Sequence, residues 1–277
     1  MPRAVPAVLS IAGSDSGGGA GIQADLKAFA RAGVHGMTAI TALTAQNTMG
    51  VTGVHPVPGD FIVAQVRAVA DDIGVDAVKI GMLGTAEIVE AVDAALDLLA
   101  PGTPVVIDPV MVAESGAVLL DDGARRALVE TLLPRATVIT PNLPEARVLA
   151  GAGAPADVEE LARALHVLGP EVVVITGGHR EEATDVVFDG VAIQLIPGER
   201  HPDGAAHGSG CTHSSTLAAQ LALGQTPLEA ARTARAVAAA AIRDGLRGLG
   251  EGPGPVDVLG LTRAAAPGAP DTTVAGV

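Results

Sequence analysis

Short runs of β-branched and other apolar residues alternate along the chain with longer segments whose apolar positions recur every three to four residues. The runs AVLSIAG (7–13), HGMTAITAL (35–43), DAVKIG (76–81), TPVVID (103–108), ATVIT (136–140) and EVVVIT (171–176) read as strands. Between them, Ile22, Leu26 and Phe29 fall at i, i+4 and i+7, and Ile88, Val92, Leu96 and Leu99 share one face of a second helix. Strands this continuously apolar are covered on both faces, as in a parallel sheet with right-handed crossovers. The run DVVFDGVAIQLI differs, because Asp189-Gly190 is a turn signal that predicts an antiparallel pair near the sheet edge. Two further helices, roughly 212–223 and 227–246, close the chain, and no internal repeat is present. The pattern predicts one doubly wound α/β domain over residues 1–261, its sheet mostly parallel with helices on both faces. The tail, 262–277, has linker composition and is expected to be disordered.

Composition narrows the function. The net charge of −14 over 277 residues argues against nucleic acid, whose phosphates are bound by Lys and Arg. Only two lysines occur, Lys27 and Lys79, and the absence of Trp and Tyr leaves little for base stacking. A single cysteine, Cys211, excludes an intrachain disulfide framework and a cysteine-rich zinc site. No apolar run approaches the ~18 residues of a membrane span, and the first residues lack the features of a signal peptide. A cytoplasmic protein without a membrane partner is expected.

In a doubly wound sheet, ligands bind beyond the carboxyl ends of the strands. After the first strand comes SDSGGGAGIQADLK, whose glycines feed a helix without the spacing of a Walker or dinucleotide loop. These glycines are either a backbone bared for a ligand or a flexible turn. After the second strand, Gln46 carries a donor and an acceptor that match an aminopyrimidine edge, or it serves loop hydrogen bonds. Asp108 is a metal ligand or the start of an Asx turn. Asn142 and Glu145 have the spacing of an N-cap and its capping-box partner, and Glu145 could equally reach Mg²⁺ through water. The last stretch, HGSGC (207–211), opens an alanine-rich helix. Its free amides and the helix dipole would form an anion site, and a cysteine there is expected to have a lowered pKa. A thiol hydrolase pairing Cys211 with His213, and a metal site of His207, Cys211 and His213, are weaker alternatives.

Taken in order, AGSDSGGGAGIQADLK, ITALTAQNT, KIGML, DPVM, ITPNLPEA, GGH and HGSGC resemble the hydroxymethylpyrimidine/phosphomethylpyrimidine kinases of thiamine biosynthesis, over about residues 7–256. The resemblance implies the three-layer α/β ribokinase-like fold, use of ATP and Mg²⁺, a small pyrimidine substrate and a homodimer. It implies that Gln46 recognises the pyrimidine, with Gly13, Ala20, Met82 and Val110 around the ring and Asp25 nearby. It assigns Asp108 and Glu145 to the metal, and Asp108, Asn142, Thr176 and Gly178 to the nucleotide. Gly208, Ser209 and Gly210 would form the anion hole beside Cys211, which takes the place of the aspartate base of most ribokinase-like enzymes. One departure stands out: many relatives have lysine where this chain has Thr176, and Lys79 or Arg180 would be the candidates to supply the missing ammonium contact with ATP. A pyridoxal kinase and a silent pyrimidine-binding sensor are the alternative readings.

Overall fold

The computed structural model describes residues 4–112, 116, 119–179 and 183–264. The chain begins with β1 (Ala7–Asp15), α1 (Gly21–Ala32), β2 (His35–Asn47), β3 (Gly50–Pro56), α2 (Gly59–Asp72) and β4 (Ala77–Ile80). It continues through α3 (Ala86–Leu96), β5 (Val105–Ile107), α4 (Asp122–Ala127), β6 (Val138–Ile139), α5 (Leu143–Ala150) and α6 (Val158–His166). The last elements are β7 (Val172–Ile175), β8 (Asp185–Phe188), β9 (Ile193–Ile196), α7 (Ser209–Ala222), α8 (Pro227–Arg243) and α9 (Leu261–Ala264).

One nine-stranded sheet runs in the order β3-β2-β1-β4-β5-β6-β7-β8-β9. The strands from β2 to β7 in that order are parallel neighbours, whereas β3, β8 and β9 pair antiparallel at the two edges. The strand period of two sends alternate residues to opposite layers. Leu9, Ile80, Ile107, Ile139 and Ile175 pack with α2, α3, α5 and α6, while Val8, Ala77, Val106, Val138 and Val174 pack with α1, α7 and α8. The second layer is built from small residues, with Ala218, Ala219, Ala230, Ala231 and Ala234 between α7 and α8. Short side chains let helices approach closely, which sets the N-terminus of α7 hard against the sheet's carboxyl edge. The predicted mostly parallel three-layer arrangement is therefore found, and so is the antiparallel pair around Asp189-Gly190. No helix among the described residues is long and apolar enough to cross a membrane.

Several boundaries differ from expectation. The second strand runs on to Asn47 and turns into β3, so Gln46 is a strand residue opposite Val51 and not part of a free loop. Strand β3 is half-exposed or exposed throughout, and without a buried face it carries no apolar alternation to reveal it. Helix α7 starts at Ser209, which brings Cys211 into its first turn, and α8 ends at Arg243. Leu26, expected on the core face of α1, is 37% exposed, and Asp25 is buried in its stead. Of the tail expected to be disordered, 262–264 complete α9, where Thr262 is bound to Asp257, and 265–277 lie outside the described residues.

Asp25 can face the core because it has partners there. Its Oδ1 lies 2.9 Å from Lys79 Nζ on β4, and both side chains are fully buried. Ser10 of β1 donates to Oδ2 at 2.5 Å and Ser215 of α7 to Oδ1 at 2.6 Å. Burial alone would discharge Lys79, but the carboxylate of Asp25, with Cys211 and Asp108 nearby, holds its pKa above the ordinary lysine value. Breaking a buried pair by removing one partner costs ~3–5 kcal/mol, because the other charge is stranded. Lys79→Met is accordingly expected to lower stability by about that amount in urea unfolding at pH 7. Adding Asp25→Asn should recover most of the loss; a double variant no better than the single one would contradict this account.

Candidate active site

The carboxyl ends of the parallel strands open into one cavity of about 820 Å³. Gly13 comes from β1, Gln46 from β2, Met82 follows β4, Asp108 and Val110 follow β5, Asn142 and Glu145 follow β6, and Thr176 and Gly178 follow β7. Ala20 enters from the glycine loop, and Gly208, Ser209, Gly210 and Cys211 enter from the start of α7. Of the site residues that the family resemblance assigned, Asp25 alone does not line this cavity. The expectation that it sits beside the ring is corrected: it lies beneath the floor, where Lys79 and two serines consume its carboxylate.

Gln46 is held through its backbone. Its N–H donates to Ser16 Oγ at 2.9 Å, and the same hydroxyl lies 2.6 Å from its carbonyl oxygen. The side-chain Oε1 accepts from Thr44 Oγ1 at 3.1 Å, which leaves the Nε2 donors and a lone pair of Oε1 for a ligand. Gly13 and Met82 are in close contact, since a Cβ on Gly13 would stand 2.6 Å from Met82 Cε.

The glycine loop turned out to be neither a bare ligand cradle nor a slack turn. Its amides are taken by Asp15, whose Oδ1 accepts from Gly17 at 2.7 Å and whose Oδ2 accepts from Gly19 at 2.9 Å and Ala20 at 2.8 Å. His207 Nε2 also lies 3.2 Å from that Oδ2. Burial opposes ionisation of Asp15, but the bonds from His207, Ala20 and Gly17 outweigh it and hold the pKa below the usual carboxylate value.

The start of α7 lines the same cavity. Gly208 caps it in the left-handed conformation, φ 83°. A Cβ there would come within 1.8 Å of the Gly19 carbonyl oxygen, so glycine is required twice over. Of the expected anion-hole amides, that of Ser209 is occupied, donating to Ala206 O at 2.9 Å. The N–H groups of Gly210 and Cys211 have no acceptor among the described residues, as the first turn of a helix leaves them. Of the amides expected at this helix start, that of Gly210 is thus open, and that of Cys211 is open beside it.

Cys211 also needs correction. Burial of the sulfur pushes its pKa up to about 12, with Lys79 opposing and Asp25 and Asp108 reinforcing the rise. The helix terminus is present, yet desolvation outweighs it, and the group is a thiol at neutral pH. His213 is buried on α7, its Nε2 3.4 Å from Asp185, outside the cavity lining. Neither a Cys–His nucleophile nor a cluster of three or more metal-ligating side chains is assembled among the described residues.

Two acids, Asp108 and Glu145, also line the cavity. Asp108 accepts from Ser214 Oγ at 2.9 Å. Glu145 completes the predicted capping box, accepting from Asn142 N–H at 2.9 Å while its own N–H donates to Asn142 Oδ1 at 2.9 Å. Burial, and then the neighbouring Asp108, push Glu145 up to about 8, and burial likewise raises Asp108. Two acids that disfavour each other's ionisation at a cavity wall suit a divalent cation that takes its remaining ligands from phosphates. The capping role and the metal role are therefore compatible in Glu145. Thr176 donates its N–H to Pro141 O at 2.9 Å and brings no charge; Arg180, a candidate substitute for the missing lysine, lies outside the described residues.

A mostly parallel sheet with a strand-end cavity, two acids at its wall and a helix N-terminus of free amides defines a ribokinase-like small-molecule kinase. A family model described as phosphomethylpyrimidine kinase matches residues 15–257, and the chain belongs to that family. It is similar to the hydroxymethylpyrimidine/phosphomethylpyrimidine kinase of Rhizobium meliloti, 48% identical over 254 residues that cover 90% of this chain and 95% of that protein. Among solved structures it resembles an ADP complex of Bacillus subtilis pyridoxal kinase, with TM-score 0.84, 41% identity and coverage of 93% and 99%. It also resembles phosphomethylpyrimidine kinase from Clostridium difficile, with TM-score 0.74, 39% identity and coverage of 83% and 96%.

The raised pKa of Glu145 has a testable sign. A carboxyl whose folded pKa lies above its unfolded value contributes stability below about 4.5 that is lost as pH rises through about 8. Glu145→Gln removes that loss while keeping a cap acceptor. Without divalent cation, its melting temperature relative to wild type should climb from pH 5 to about pH 8 and level off above that. A difference independent of pH would mean that burial does not penalise this carboxylate.

Proposed function

We propose that this chain phosphorylates 4-amino-5-hydroxymethyl-2-methylpyrimidine and then its monophosphate, using ATP. The observation that carries this reading is one cavity lined both by the Gln46 amide and by the start of α7, where the amides of Gly210 and Cys211 are free. Gln46 Oε1 and Nε2 complement the amino group and adjacent ring nitrogen of an aminopyrimidine, with Gly13, Ala20, Met82 and Val110 shaping the wall. The hydroxymethyl group then points along the cavity toward α7. There the amides of the first turn meet the oxygens of the transferring phosphoryl group, where positioning and charge stabilisation supply most of the catalysis. Thr176 and Gly178 border the nucleotide side, and Thr176 offers a hydroxyl where relatives offer an ammonium.

Asp108 and Glu145 fit a site for Mg²⁺, as a mutually repelling acid pair at the cavity wall. When bound with ATP, the ion supplies charge neutralisation for the phosphates. Names of related proteins support the substrate, and complexes of pyridoxal kinases with ADP and AMP-PCP support a nucleotide at this site. Dependence on ATP fits a cytoplasmic enzyme. Exposed Leu43, Met49 and Val54 on the β2–β3 hairpin support a homodimer, which sedimentation velocity reads directly. Pyridoxal is the second reading, favoured by the pyridoxal kinases among similar structures. Comparing kcat/KM for the two alcohols decides between them.

Consumption of ATP on addition of the hydroxymethylpyrimidine tests the activity itself, and its absence would overturn the reading. Gln46→Leu is expected to lose at least ~10-fold in kcat/KM for the pyrimidine, about 1.4 kcal/mol or more of transition-state binding. Unchanged kinetics in the folded variant would return Gln46 to a purely structural role.

The neutral thiol has its own test. An alcohol acceptor approaches uncharged, whereas a phosphate acceptor arrives as an anion, and a carboxylate at position 211 would repel it. Unit charges ~4 Å apart at an effective dielectric near 20 repel by about 4 kcal/mol. Cys211→Asp should therefore lower kcat/KM for the monophosphate at least ~10-fold more than for the alcohol. Equal losses in the two steps would show that the uncharged state of Cys211 is irrelevant to the second.

A further inference from the structure

Asp15 and His207 line the same cavity, and neither the ring recognition nor the anion site described above uses their side chains. Asp15 closes β1 and is 3% exposed, while His207 precedes the cap of α7 with its side chain 12% exposed. An ionised carboxylate only accepts, so His207 Nε2 is the donor across the 3.2 Å to Asp15 Oδ2. The same oxygen accepts the amides of Gly19 and Ala20, and Oδ1 accepts that of Gly17. The imidazole therefore binds one oxygen of the carboxylate around which the glycine loop is wound.

Packing tightens the join. A Cβ on Gly19 would stand 2.2 Å from His207 Cδ2, and one on Gly208 would stand 1.8 Å from the Gly19 carbonyl oxygen. On the other side of Asp15, Ser16 holds the backbone of Gln46 through both its N–H and its carbonyl oxygen. Behind, the His207 carbonyl oxygen accepts from Val256 N–H at 3.0 Å, so its main chain is anchored independently of the ring. A continuous set of contacts thus runs from Gln46 through Ser16 and Asp15 to His207 and the first turn of α7.

The geometry points to Asp15 and His207 as positioning residues that lock the phosphate loop, 207–211, to the glycine loop, and so fix the distance between a ring-held acceptor and the anion-binding amides. The pair touches no reacting atom. Its contribution is alignment, which in phosphoryl transfer is worth more to turnover than to ground-state binding. The kinetic arm of this inference rests on the proposed kinase activity, and the structural arm does not.

The test uses the full chain with His207→Ala, His207→Phe and His207→Gln. Phe keeps a ring without the donor, and Gln restores a donor near the Nε2 position. With hydroxymethylpyrimidine as acceptor, Ala and Phe are expected to lower kcat at least tenfold, with both KM values within threefold of wild type. Gln should stay within threefold of wild type in kcat. Hydrogen exchange at the amides of 208–212 and of 17–20 should rise together in Ala and Phe and stay near wild type in Gln. Ala and Phe variants with kcat within threefold of wild type would overturn the proposal, as would a loss that Gln does not restore or exchange rising in one loop alone. If wild type fails to phosphorylate the pyrimidine, the kinase reading falls, and exchange in the two loops alone decides for or against the lock.

Discussion

The buried ion pair of Asp25 and Lys79 is the contact on which the site stands. It joins α1 to β4 and, through Ser10 and Ser215, adds β1 and α7. Those are the elements whose ends carry the glycine loop, the cavity floor and the phosphate loop. A hydrophobic pair of the same volume could hold them as firmly, since buried salt bridges are often no more stable than their apolar replacements. What an apolar pair would not provide is a fixed positive charge under the cavity. Lys79 lines the floor and opposes the upward shifts of Cys211 and Asp108. The pair therefore contributes little net stability for its complexity and a great deal of electrostatic definition.

Above that floor, the close approach of two glycine-containing loops explains why the backbone is bare at both. Gly19 and Gly208 touch through atoms that leave no room for a side chain, and Gly208 also needs its left-handed conformation to start α7. The amides of the first loop turn inward to Asp15, and those at the start of α7 stay open. Two segments that look alike in composition thus differ in function. One carries its own anion, and the other leaves its amides open.

That difference marks the limit of what could be read in the chain. The parallel strands were legible because they are buried on both faces, and the cavity residues followed from their carboxyl ends: Gln46, Asp108, Glu145 and Thr176 all lie where the strand order puts them. Asp25 misled because a charged residue on the core face of α1 has no local signal; its partner Lys79 is distant in sequence and meets it only in the folded sheet. The exposed hairpin strand β3 was missed for want of a buried face. Asp15 was not singled out, and His207 only as a metal-ligand alternative, because their significance lies in each other. For Cys211 the local dipole argument was sound, and burial, which depends on the whole fold, outweighed it.

The charge balance around the acceptor position brings these points together. Asp25 and Lys79 cancel, and Glu145, held near 8, is largely protonated at neutral pH before any cation arrives, so Asp108 is the main acid left to respond. An aspartate at position 211 would put another carboxylate into this low-dielectric space, beside acids that already disfavour one another's ionisation. For an alcohol acceptor that charge could serve as a base, and its cost would be tolerable. For an acceptor that is itself a phosphate it would add repulsion to a step that needs no base. A buried thiol fills the same position, stays uncharged across the physiological range and leaves the amides of Gly210 and Cys211 as the local donors. A cavity that handles both acceptors in succession is better served by the residue with no charge, and this is the physical case for the role proposed above for Cys211.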